Sequence, residues 1–435
     1  MITPATYKSA KLLVCCLFTL LGLVACAEKI PLPPQPNLEG VSEIIKEHIN
    51  SKRSDVINNI QSGKHWGQYG IALQADEFLE DALLCYRQAH KLDSNEPKWP
   101  ALIAVLLQDE PSSTALESLK TALILEPDSA ALNYFLGKLL ENNGDVSNAI
   151  KAYRKAQAVA PNNPAITFAL GRTLYNQKEY SQSRPLLMDA MRLNPRSAIT
   201  RSYLLQLQKA TGSEIASLPT AAEADDTTPI EAPPPYQFEI DNESRTESGL
   251  RRISLYYVNQ QRWGAAENRL GLLTTHYPPT EGDLFNYALV LEKQHKTASA
   301  RAQYKKLTQL FPSNLSAWLN LADLTLAAGS PDKASSYYQQ ALDRAQSPQE
   351  KGRSLQGLGR IAASKGKLER AYEMIEKAIQ EDPKSGILHM DAVRINADLK
   401  RFEQVRHHLA EAEKRGFKVD PAFKLQLEFV EKQIQ

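Results

Sequence analysis

Prolines fall on a beat in this chain. Pro127, Pro161 and Pro195 lie 34 residues apart, and Pro278 and Pro312 repeat the interval further on. A fixed period of this length is the mark of a helix–turn–helix unit stacked many times over. Each unit in such a stack buries its apolar face only against its neighbours, so the chain builds long open faces rather than one closed pocket. The expected architecture is therefore an all-α solenoid, and its expected use is holding other molecules.

The residues between the prolines carry the same message. Leu136, Gly137, Leu140, Ala149, Tyr153 and Ala156 precede Pro161, and Leu170, Gly171, Leu174, Ser183, Leu187 and Ala190 precede Pro195. A glycine removes the side chain where two helices cross closely, alanines keep the second helix thin, and leucines and tyrosines at helical spacing fill the space between. Proline ends each second helix because it cannot continue the backbone ladder. This pattern resembles the tetratricopeptide repeat. Trp66, Tyr69, Gly70, Leu73, Ala82, Tyr86 and Ala89 fit it well, and Trp99 to Pro127 fits more loosely.

Read this way, residues 41–62 are a leading cap, with Ile44, Ile45 and Ile49 on one face, and residues 63–210 are an array of about four repeats plus a closing helix. Residues 211–246 break the period. Prolines there sit among threonine, alanine and acids, a composition too poor in apolar groups to order itself, so a flexible, disordered acidic linker is expected. The period then resumes over residues 247–435 as about five repeats, with Phe423, Leu427 and Val430 on a final capping helix.

Upstream of the repeats, residues 1–25 read as a targeting segment. Lys8 and Lys11 precede an apolar run from Leu12 to Val24 that is too short for a confident membrane-spanning helix. The run closes on Leu23-Val24-Ala25-Cys26, which resembles the lipobox of bacterial lipoproteins; the alternative is an ordinary secretory signal with Cys26 incidental. The resemblance implies cleavage before Cys26 and acylation of that residue by chains such as palmitate. Ala27, where an aspartate would favour inner-membrane retention, implies an outer membrane facing the periplasm. Residues 26–40, with Pro31, Pro33, Pro34 and Pro36, are expected to form a stiff tether. With Cys15 and Cys16 in the leader, Cys85 is left alone in the folded part, so no internal disulfide is available.

Charge argues against nucleic acid as a partner, since 51 basic residues are offset by 50 acidic ones. No arrangement suggests catalysis, a cofactor or a metal. Six residues separate Gly359 from Gly366-Lys367 where a phosphate loop needs four, and Leu368 replaces the magnesium-binding hydroxyl. Glu403, His407 and Glu411 share one helix face, which reads as solvated charge pairing rather than a metal site.

In the tetratricopeptide family the first helix of each pair lines the concave groove. Carried onto this chain, the resemblance places Tyr134 and Lys138 in the groove of the third repeat and Phe168, Arg172, Tyr175 and Asn176 in that of the fourth. Aromatics beside cations suit an extended peptide, although Tyr134 and Phe168 also suit packing between helices. The same positions in the second array include Arg353, Arg360 and Arg394, a candidate basic stripe for an acidic partner or for the acidic linker itself. The recurrent Lys and Asn that hold a terminal carboxylate elsewhere in the family are not repeated here. The resemblance thus implies a membrane-anchored scaffold or adaptor that recruits periplasmic proteins for cell-wall, secretion, pilus or polysaccharide-export machinery. A structural spacer, or an accessory subunit without catalysis of its own, is the alternative.

Overall fold

A computed structural model of the protein describes residues 30–110, 113–215 and 218–425, and these fall into two compact units that divide between Thr246 and Glu247. The leader, Cys26, Leu427 and Val430 lie outside the described residues. Every regular element within them is a helix, apart from a single bridge between Ser197 and Asp226.

In the first unit, α1 (Glu43–Asn58) leads into four helix pairs: α2 (Gly63–Ala75) with α3 (Leu79–Leu92), α4 (Lys98–Leu106) with α5 (Thr114–Leu125), α6 (Ala130–Asn142) with α7 (Val146–Val159), and α8 (Pro164–Asn176) with α9 (Tyr180–Leu193). Helix α10 (Ala198–Thr211) closes the stack. Each helix packs on the next in sequence, so the core is a row of clusters and not one centre. Tyr153, Ala149 and Ala156 from α7 meet Ile166 and Leu170 from α8 in one such cluster. The close crossings are real: a Cβ on Gly137 would stand 2.4 Å from the Tyr153 ring.

Local sequence sets the ends of these helices. Asn163 caps α8 by accepting from the N–H groups of Ala165 and Ile166, with Pro164 in the first turn where a missing N–H costs nothing. In the third and fourth pairs the backbone turns between the two helices through one left-handed residue. Gly144 and Lys178 hold that position one repeat apart, with φ of 78° and 65°.

The stretch expected as a stiff proline tether is in part fastened to the array. Arg53 Nε donates to the Pro34 carbonyl at 3.1 Å, and the Tyr69 hydroxyl donates to the same carbonyl at 2.9 Å. Pro33 and Pro36 are buried.

Within 211–246, expected as a flexible linker, the described residues hold ordered contacts. Ile215 and Ala224 are buried in a cluster with Phe168, Leu187, Leu204 and Leu207, and a short helix α11 (Gln237–Glu243) packs on α2. The composition is poor in apolar residues, yet these few are placed where the array leaves a site for each.

The second unit repeats the construction with α12 (Glu247–Asn259) and α13 (Trp263–His276), α14 (Glu281–Lys293) and α15 (Thr297–Leu310), α16 (Leu315–Ala327) and α17 (Pro331–Leu342), α18 (Pro348–Ser364) and α19 (Leu368–Glu381), and α20 (Gly386–Asp398) and α21 (Phe402–Lys414). Thr280 and Ser347 form reciprocal capping boxes with Asp283 and Glu350 at the starts of α14 and α18. Phe423 packs against the last cluster with Val405 and Phe417.

Candidate groove of the first array

The first helices of successive pairs bring Tyr134, Lys138, Phe168 and Arg172 to one face of the first unit, where they line a cavity of about 170 Å³ together with Pro229, Ile230 and Glu231. The groove is therefore occupied, and its occupant is the chain itself.

The occupant runs antiparallel to the order of the repeats. At the closing helix, residues 196–198 exchange backbone hydrogen bonds with Asp226, and Arg196 pairs with Asp225 at 3.0 Å. Over the third pair, Lys138 Nζ lies 2.6 Å from Glu231, and the Ala232 N–H donates to the Tyr134 hydroxyl at 3.3 Å. Over the second pair, Tyr236 donates to Glu126 at 3.1 Å, and Lys98 pairs with Glu239 at 2.7 Å while its ammonium stands 5.4 Å from the Tyr236 ring centre. At the leading helix, Lys52 reaches Glu243 at 2.6 Å, with His48 Nε2 at 3.3 Å. Asp76, at the end of α2, accepts the Arg245 N–H at 2.7 Å.

Electrostatics follow these contacts. Burial would raise the Glu243 carboxyl, yet His48 and Lys52 beside it hold it down to about 2. Asp76 goes the other way, raised by burial against the Arg245 N–H. Burial also lifts the Tyr134 hydroxyl, so it stays protonated at neutral pH and accepts from Ala232 with a lone pair left over.

The individual candidates divide by role. Phe168 is fully packed, edge-on to Tyr203 at 5.6 Å, and belongs to the core. Tyr134 does both tasks: its ring packs on Tyr153 and its hydroxyl meets the segment. Arg172 is tied to Glu141 at 2.6 Å, and Glu141 also accepts from Tyr153 and Thr173. Tyr175 packs on Tyr180 and Tyr203, and Asn176 is exposed at the end of α8. Lys138 alone among them gives its charge to the segment.

In the second unit the arginines are not an open stripe. Arg353 pairs with Asp323 at 3.0 Å, and Arg360 with Asp391 at 2.9 Å. Arg394 approaches the same Asp391 at 3.4 Å, and Gln356 donates to it at 2.6 Å. One buried carboxylate thus gathers two of the three candidate arginines, because Asp391 sits one repeat beyond Arg360 on the same face.

Sequence reasoning missed a histidine pair. His389 and His408 are buried with their Nδ1 atoms 3.1 Å apart, across α20 and α21. Burial, then His389 and His407 nearby, pushes His408 down to about 4, so both rings stay neutral at neutral pH and share one hydrogen bond. A spacing of 19 residues between helices has no signature that would have singled the pair out. Among the described residues no group of three or more acidic, histidine or cysteine side chains converges as a metal site.

A family profile agrees with the construction in parts of both units. The tetratricopeptide repeat family profile matches residues 105–164, 134–198, 286–351 and 326–386. Among solved structures, MamA from Desulfovibrio magneticus RS-1 is 17% identical with a TM-score of 0.36, covering 39% of this chain and 94% of that one. Pseudomonas aeruginosa PilF is 14% identical with a TM-score of 0.30, covering 66% of this chain and 100% of its own. No curated protein sequence matches.

Proposed function

We propose that this chain, built of tetratricopeptide repeats, is a lipid-anchored adaptor of the bacterial envelope that holds other proteins along its inner faces and has no catalysis of its own. The observation that carries the reading is the course of residues 225–243. A stretch of polypeptide, extended at first and helical from Gln237, lies along the inner face of the first array and is held there by side chains from the entry to the closing helix, the third and second pairs and the leading helix. A face that seats one extended chain has the width and polarity to seat another.

The anchor rests on Leu23-Val24-Ala25-Cys26. Acylation of Cys26 by more than one chain would give firm attachment, each buried methylene adding about 0.8 kcal/mol. Since Pro34 is fastened to the array, no more than eight residues separate the lipid from the fold. At roughly 3.5 Å per extended residue the array would ride within about 28 Å of Cys26, on the periplasmic side of the outer membrane.

The test is photo-crosslinking in intact cells from positions on both inner faces, beside Cys26→Ser. The adaptor reading expects a dominant trapped protein, palmitate labelling of the wild type, and release of Cys26→Ser from the outer-membrane fraction. A wild type that takes no label and fractionates as a soluble protein overturns the anchor. A fully anchored protein that traps no dominant partner favours a spacer instead.

A further inference from the structure

We propose that the inner face of the first array is a site for an acidic, proline-bearing polypeptide of another protein, extended and then turning into a short helix, and that residues 225–243 are a tethered stand-in that leaves when this partner docks. The inference rests on the adaptor reading and adds to it the chemistry of the partner and the state of the unliganded groove.

The order of charges carries it. Along the segment the acids Asp225, Glu231, Glu239 and Glu243 meet Arg196, Lys138, Lys98 and Lys52 in turn. Segment numbers rise while array numbers fall, so one run of carboxylates, the last two carried on α11, reads the face from the closing helix to the leading one. A groove that presents cations at each station selects an acidic ligand and repels a basic one. Between the first two stations and the last two, Pro233 and Pro234 keep the segment extended at low entropy cost before it turns into α11, so the fit is to a stiff strand that ends in a short helix.

The manner of attachment argues that the occupant can leave. A permanent wall is held by apolar burial, as Ile215 and Ala224 hold the stretch just before it. Across residues 225–243 only Pro235 and Ile240 are buried. Two of the pairs that hold the rest have carboxylates open to water, with Glu231 58% and Glu239 45% exposed, a setting in which ion pairs contribute little and weaken with salt; the firmer fastening is Glu243 at the far end, 22% exposed. Tethering supplies what the contacts lack, since a segment joined to α10 through residues 212–224 is present at high effective concentration.

The fit is also incomplete. The cavity of about 170 Å³ remains beneath Pro229, Ile230 and Glu231, and Arg172, which lines it, has a buried Nε without an acceptor. A partner carrying a larger side chain and one more carboxylate or carbonyl oxygen at this station would fill the space and satisfy that donor.

A fluorescein-labelled synthetic peptide with the sequence of residues 222–245, titrated into the full mature chain, tests this by anisotropy. The wild type should bind it weakly. The triple variant Glu231→Lys, Glu239→Lys, Glu243→Lys, which spoils only the tethered competitor, should bind about tenfold more tightly or better. Adding Lys98→Glu and Lys138→Glu to that variant should reverse the gain, as should raised salt. A triple variant that binds no better than wild type overturns the proposal, as does binding indifferent to both lysines. A concentration-dependent dimer of the triple variant also overturns it, by making a second copy the occupant. Should the triple variant melt early, hydrogen exchange on the wild-type chain decides: excess peptide must speed exchange over residues 227–243, and unchanged exchange overturns the proposal. Failure here is distinct from failure of the adaptor reading. A freed groove that ignores the peptide, while crosslinking still traps a partner elsewhere, leaves the adaptor standing; peptide binding with no partner trapped in cells does the opposite.

Discussion

Lys52 on the leading helix holds Glu243 at 2.6 Å, so the segment that leaves the closing helix of the first array returns to its opening helix. The array is thereby closed along its inner face by a strap of its own chain. Its two ends are fastened differently, by apolar burial near Ala224 and by the Glu243 and Asp76 contacts at the far end. A strap pinned by carboxylates responds to acid.

Glu243 sets the direction of that response. Its carboxyl is held at about 2 in the fold against an ordinary value of 4.5, so its contribution is complete above pH 4.5 and is lost as the pH falls toward 2. Asp76, raised by burial, has the opposite sign, and protonation relieves part of its cost. Comparison with Glu243→Gln isolates the first effect. The substitution should lower the stability of the first unit by about 1 kcal/mol near neutral pH, and urea melts taken at successive pH values should show the difference vanish near pH 2.

Gly137 tests the repeat core. An alanine there would place Cβ 2.4 Å from the Tyr153 ring, and at Gly357 it would lie 2.3 Å from the Tyr338 ring. Overpacking of this kind costs about 1–3 kcal/mol, and the better helix propensity of alanine returns at most about 1. Each substitution should lower the melting transition of its own unit and leave the other in place, as read by calorimetry or by exchange protection in α6 and α18.

The helical pairing was legible in the sequence for a physical reason: most core contacts join neighbouring helices, so the pattern repeats at a fixed interval and survives individual poor matches. Lys138 and Tyr134 were legible as inward-facing because position within a repeat fixes direction. The depth of Phe168 was not, since the same inward position is core or groove depending on what packs above it, here Tyr203. The partners of the candidate cations were also hidden. Lys138 pairs 93 residues away, and Lys98, which the sequence did not single out at all, pairs 141 away; an acid placed by a returning strap leaves no period behind. Composition alone favoured a free linker over 211–246, because it counts apolar residues and takes no account of where they land.

Asp391 should behave as a keystone of the second inner face. It accepts from Arg360, Arg394 and Gln356 while itself buried. Asp391→Ala removes the acceptor and leaves the two arginines facing each other across the groove, at a cost of about 1–3 kcal/mol. It should also create the basic stripe that the native pairing cancels. Chromatography on an anionic resin should show later elution of the variant, by more than the loss of one charge elsewhere, such as at Asp398, produces.

Cys85 is packed at 0% exposure against the close crossing at Gly70. Burial, and then Asp81 nearby, pushes its thiol up from the ordinary range, which keeps it as the unreactive thiol. The mature native protein treated with a thiol reagent at pH 8 should show no modification at Cys85 over hours, and full modification once unfolded in denaturant. Mass spectrometry of the peptide spanning Cys85 reads both.

The left-handed turn between paired helices offers a stabilising change. Gly144 takes φ of 78° freely, whereas Lys178 one repeat later adopts 65° with a Cβ that crowds its carbonyl. Lys178→Gly should remove this strain and raise the stability of the first unit by about 0.5–1 kcal/mol after allowance for the greater freedom of glycine when unfolded. Gly144→Ala, the reverse change at the equivalent turn, should cost about 1 kcal/mol. Neither position has an atom in the strap's contacts, so urea melts should shift in opposite directions while salt dependence stays that of the wild type. A parallel shift in the two variants would show that the turn is not where the backbone of the repeat is strained.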